Sequence, residues 1–73
     1  MIKINESINP FDLIKKISID LNIPKKSLSF TQSGKSYDFY FYKDGMMDPV
    51  KIAKYNARTG KIEYDYKRYD EVK

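Results

Sequence analysis

Apolar residues recur along this chain with two different periods, and the change between them divides it into elements. Leu13, Ile14, Ile17 and Leu21 repeat at the three- and four-residue spacing of one helix face, with Phe11 at the edge of the stripe. Lys15, Lys16 and Asp20 fall elsewhere. Asn9-Pro10 supplies a start, because Asn caps free backbone N–H groups and Pro loses nothing at the first helical position. Asp12 suits the positive end of the helix dipole, and Pro24 sets the stop. The spacing predicts a helix over residues 9–23, preceded by an arm at 1–8 in which Met1 to Ile4 reads as extended. A single apolar stripe requires one surface to cover it.

From Leu28 the period becomes two. With Ser33-Gly34 as a two-residue hairpin turn, Phe30 opposes Tyr37 and Leu28 opposes Phe39. Leu28, Phe30, Tyr37, Phe39 and Phe41 then share one face, while Ser29, Thr31, Asp38, Tyr40 and Tyr42 share the other. Further on, a four-residue loop Ala57-Arg58-Thr59-Gly60 sets Tyr55 opposite Ile62, Ala53 opposite Tyr64 and Lys51 opposite Tyr66. On the reverse side Lys54 meets Glu63, and Ile52 meets Asp65. Lys43-Asp44-Gly45-Met46-Met47-Asp48-Pro49 punctuates a longer turn between the hairpins.

The predicted architecture is α+β: one N-terminal helix packed on a four-stranded antiparallel meander, with the hairpins over 27–69 and a tail at 70–73. At 73 residues this is one small domain, with little room for a large internal cavity. A composition of 41% hydrophobic and 33% charged residues excludes a disordered tail, and no apolar run reaches the roughly 20 residues of a membrane span.

The chain has neither cysteine nor histidine, which removes disulfides, thiolate nucleophiles and thiolate or imidazole metal sites. A nucleophile would have to be a Ser or Thr, and Ser33, Ser36 and Thr59 fall in or beside turns, where local hydrogen bonding accounts for them. Asp44-Gly45-Met46-Met47-Asp48 lacks the alternating oxygen ligands and terminal Glu of a calcium loop. The residues therefore point to no catalysis, no metal and no cofactor. The N-terminal residues show no secretory signal, so the expected location is cytoplasmic.

Of the eleven aromatic residues, ten lie at or beyond Phe30, and most fall on the expected core face. Tyr40 and Tyr42 do not. In a meander they lie beside Val50, Ile52 and Lys54 on the face away from the helix, a composition that suits a protein-binding surface. Tyr40, Tyr42, Val50, Ile52 and Lys54 are therefore the candidate partner-binding residues. Homodimerisation through that face is a variant of the same reading.

The net charge of +4 falls entirely between residues 50 and 69, where six basic residues stand against two acidic ones. Within that stretch Arg58, Lys61, Lys67 and Arg68 form the candidate phosphate-binding set of a rival reading, nucleic-acid binding on a tyrosine-rich sheet. Asp38, Glu63 and Asp65 on the same open face weigh against it by repelling phosphate.

The helix ending in Leu21-Asn22-Ile23-Pro24, the hairpin, and the strand leading into Asn56-Ala57-Arg58-Thr59-Gly60-Lys61-Ile62 together resemble the PepSY domain, from Pro10 to about Tyr66. That family has a comparable helix and antiparallel sheet and a strand ending in a D-A-x-T-G-x-V-like motif. Here Asn56 stands in place of the Asp and Ile62 in place of the Val. The resemblance implies this fold and a role in inhibiting or regulating peptidases. Members are mostly secreted or membrane-attached, and this chain shows no export signal. The expectation is a small inhibitor or regulator of a larger protein, of the bacterial or phage accessory kind.

Overall fold

The computed structural model describes residues 9–73, so the arm expected at 1–8 lies outside the described residues. Helix α1 spans Pro10–Leu21, and the Asn9 side chain caps it by accepting from Phe11 N–H at 2.8 Å. Its stop lies earlier than Pro24. Asn22 takes the left-handed conformation (φ 57°), and the Ile23 N–H bonds back to Ser18 O at 3.0 Å, closing the helix as a Schellman turn. The reversal tucks Ile23 into the core beside Leu13, Ile14 and Ile17. A 3-10 turn at Lys25–Ser27 then leads into the sheet.

Among the described residues the sheet has four antiparallel strands in meander order: β1 Leu28–Ser33, β2 Ser36–Phe41, β3 Val50–Asn56 and β4 Lys61–Tyr64. The α+β class and the meander are as expected. In the first hairpin, however, the turn is Gly34-Lys35, so Phe30 faces Phe39 and Leu28 faces Phe41. Gly34 alone holds a positive φ (60°), which is the demand of a turn with glycine at its first central position. The slip from the expected register is two residues, an even number, so every side chain on this hairpin keeps its face. The second hairpin has the expected pairs Ala53 with Tyr64, Lys54 with Glu63 and Tyr55 with Ile62. There the Asn56 side chain accepts from Arg58 N–H at 2.9 Å and Gly60 is left-handed (φ 71°).

Two departures change the molecule more. The ladder between β2 and β3 shifts between Phe39 and Tyr40: Phe39 pairs with Ala53, but Tyr40 pairs with Lys51, leaving Ile52 as the extra residue of a β-bulge. Both Ile52 and Ala53 are consequently buried. The second departure is at the C-terminus, where the expected strand pair Lys51 with Tyr66 does not form. Asp65 still donates its N–H to Ile52 O at 2.8 Å, then its carboxylate accepts from Arg68 N–H at 3.0 Å and caps a second helix, α2, over Tyr66–Val72. Residues expected to be the end of a strand and a tail are therefore helical.

Helix α2 lies on the same side of the sheet as α1. Tyr69 meets Phe41 edge-on at 5.6 Å and its hydroxyl reaches Leu21 O at 3.4 Å. The core between the helices and the sheet is led by Phe39, Ile17 and Ile52, all fully buried, with Leu28, Phe41, Ala53 and Tyr55 around them. Phe30, Ile62 and Tyr64 pack partly buried against it. Among the described residues no helix is long and apolar enough to cross a membrane.

Candidate protein-binding surface

The side of the sheet opposite α1 and α2 is built by strand alternation. Cross-strand rows set Ser29, Tyr40 and Lys51 together, then Thr31, Asp38, Lys54 and Glu63. Tyr42 continues the alternation of β2, with its N–H bonded to Ser27 O at 2.9 Å, and is exposed. Lys51 Nζ lies 3.2 Å from Asp38 Oδ1, an ion pair at contact distance whose alignment does not make a hydrogen bond, so that oxygen remains an acceptor without a donor.

Three of the five sequence-derived candidates, Tyr40, Tyr42 and Lys54, occupy this face. Val50 and Ile52 do not. The bulge gives β3 one extra residue, and because side chains alternate with period two, a one-residue insertion transfers Val50 and Ile52 to the core side. Ile52 is 0% exposed and Val50 is half-buried against the core. The same insertion brings Lys51, which regular alternation assigns to the core, out beside Tyr40. A lysine at a core position was the signal in the sequence that the ladder could not be regular.

The basic candidates divide. Arg58 lies in the β3–β4 turn and Lys61 begins β4, whereas Lys67 and Arg68 sit on α2. Where β4 gives way to α2, Lys67 and Arg68 join Lys51, Lys54, Glu63 and Tyr66 around an open depression of about 650 Å3. Tyr66 is 59% exposed and stacks at a tilt on Tyr64, ring centres 5.4 Å apart. This set mixes aromatic surface with a cationic excess, but two carboxylates, of Glu63 and Asp65, lie within it.

The groups with displaced acidities belong to the framework. Burial, and then a 2.6 Å hydrogen bond donated to Asp20 Oδ2, pushes the Tyr64 phenol well above its usual range. That bond, reinforced by Lys16 Nζ at 3.2 Å, lowers the Asp20 carboxyl. The pair ties α1 to β4. No group of three or more carboxylates able to hold a metal ion occurs among the described residues. Comparison with family models, with curated proteins and with solved structures finds no match to the chain.

Proposed function

We propose that this chain is a small, non-catalytic, cytoplasmic protein-binding module, acting as an inhibitor or regulator of a larger partner through the face bearing Tyr40, Tyr42, Lys51 and Lys54. The observation that carries this reading is the placement of α1 and α2 on one side of the sheet, which leaves the other side uncovered among the described residues. Tyrosines flanked by hydroxyl and lysine side chains give that face large contact area with adaptable hydrogen bonding. A PepSY-like origin remains part of the proposal, supported by the helix, sheet and Asn56–Gly60 turn. The test is affinity capture from the native host with a nuclease-treated control, comparing the parent chain with Tyr40→Ala combined with Lys54→Glu. A partner retained after nuclease and lost from the double variant, at unchanged thermal stability, supports the reading. Retention by both chains rejects this face.

Nucleic-acid binding is a second reading, favoured by the meeting of Lys51, Lys54, Lys67 and Arg68 beside the exposed Tyr66. It requires binding to a single-stranded oligonucleotide that weakens steeply with salt, and a shallower slope after Lys67→Glu with Arg68→Glu. The interleaved Glu63 and Asp65 lead us to expect no such binding at physiological ionic strength.

A further inference from the structure

The two edges of the sheet differ in how they are guarded. The β4 edge is four residues long, carries Lys61 and Glu63, and ends in α2. These features discourage pairing with another strand. The β1 edge is six residues long, Leu-Ser-Phe-Thr-Gln-Ser, with no charge, no proline and no bulge.

Its outward hydrogen-bonding groups follow from the register. Tyr42 N–H donates to Ser27 O, so Ser27 and Tyr42 form a hydrogen-bonded pair, and alternation turns the backbone groups of Ser29, Thr31 and Ser33 toward β2. Those of Leu28, Phe30 and Gln32 then point away from the sheet. Lys25 O takes the Leu28 N–H. Among the described residues no hydrogen bond reaches the N–H or C=O of Phe30 or Gln32.

Side chains add a wall and a charge pattern. Phe11 is 67% exposed and stands edge-on to the half-buried Phe30, ring centres 5.6 Å apart, so apolar surface borders the open edge on its helix side. Lys25 and Lys26 stand exposed just before β1 and Lys35 just after it. The nearest carboxylates along the chain are already engaged, Asp20 by Tyr64 and Lys16, Asp38 by Lys51. A second copy added antiparallel about Phe30 would set Lys35 against Lys25 at each end, so charge disfavours self-pairing.

We propose that the β1 edge takes up an extended segment of a partner protein by strand addition, and that this segment carries Asp or Glu on both sides of an uncharged, β-prone middle. Main-chain bonds to Phe30 and Gln32 supply affinity, and the lysines select acidic flanks. The inference rests on the chain being a protein-binding module but assigns a different surface from the open face.

The test is selection of a random peptide display library on the full chain, followed by affinities of synthetic versions of the enriched peptides. Enriched peptides should alternate β-formers between acidic flanks and bind more weakly as salt rises. Gln32→Pro removes an outward N–H while leaving the β1–β2 bonds, and should weaken binding by about tenfold or more. Methylating alternate peptide nitrogens should do the same with the chain untouched. Lys25→Glu with Lys35→Glu should shift selection to basic flanks. The proposal is overturned if nothing enriches, or if Gln32→Pro binds as well as the parent. It is also overturned if, in the free chain, the Phe30 and Gln32 amides exchange as slowly as that of Thr31, since the edge would already be occupied. Loss of binding through Tyr40→Ala with Lys54→Glu, but not through Gln32→Pro, would reject the edge while keeping the open face.

Discussion

Ile52 separates the bulged ladder from a regular one, because a regular ladder puts it in solvent and the bulge puts it in the core. Its side chain is 0% exposed beside Phe39 and Ile17. Truncating a buried isoleucine to alanine removes its transfer free energy and leaves a cavity, about 2–5 kcal/mol in total, and full burial places Ile52→Ala at about 3–4 kcal/mol. For 73 residues the whole stability is on the order of 4–11 kcal/mol, so this one change removes a large fraction of it. Lys51→Ala, one position away on the open face, loses a surface ion pair with Asp38 worth about 0.2–1 kcal/mol. In urea unfolding, with a slope of about 1 kcal/mol/M, the first variant should lower the midpoint by about 3 M and the second by less than about 1 M. Equal shifts, or the reverse order, would refute the bulge and return Ile52 to the open face.

The burial of Tyr64 and its bond to Asp20 make stability depend on pH at both ends of the scale. Asp20 is lowered in the folded chain, so its contribution is complete above the ordinary carboxylate range and is lost as pH falls through the folded value. Tyr64 is raised, so its contribution is complete below the ordinary phenol range, about 10, and is lost as pH rises toward the folded value. Tyr64→Phe should flatten both losses in urea midpoints measured across pH; an unchanged profile would place the bond outside the stability balance. For α2, Asp65→Ala should cost about 1 kcal/mol by removing the cap and Tyr69→Ala about 2–3 kcal/mol by removing the contact with Phe41. Thermal melts with no loss for Tyr69→Ala would show α2 to be undocked.

What the sequence made legible follows from how local each determinant is. The Asn9 cap, the α1 stripe and the Asn56 to Gly60 turn each carry their chemistry within a few residues, and each forms as the pattern predicts. The first hairpin turns one residue later than the sequence predicts, because Ser33-Gly34 and Gly34-Lys35 both place a glycine centrally, and only φ at Gly34 separates them. The one local sign of the bulge is Lys51, which regular alternation would send into the core. The bulge is set by the need to bury Val50 and Ile52 on the core side while keeping Lys51 wet, a tertiary demand. Helix α2 is hidden because Tyr66 and Tyr69 suit a strand, and its one local sign is Asp65, a residue type favoured at an N-cap. The candidate surface is accordingly legible on β2, where alternation is regular, and not on β3, where the bulge breaks it.

The meander makes each strand pair with its neighbour in sequence, so most of the sheet can assemble from short loops. Among the described residues two side-chain hydrogen bonds span a long stretch of sequence: Tyr64 to Asp20, 44 residues apart, and Tyr69 to Leu21, 48 residues apart. Both join residues 64–69 to α1. On a growing polypeptide the hairpins can therefore form before α1 has its full cover, and the helix becomes locked only when residues 64–69 arrive. Residues 64–69 thereby act as the latch of the folding reaction. In the native state α1 and α2 should loosen together, ahead of β2 and β3, as one cooperative unit.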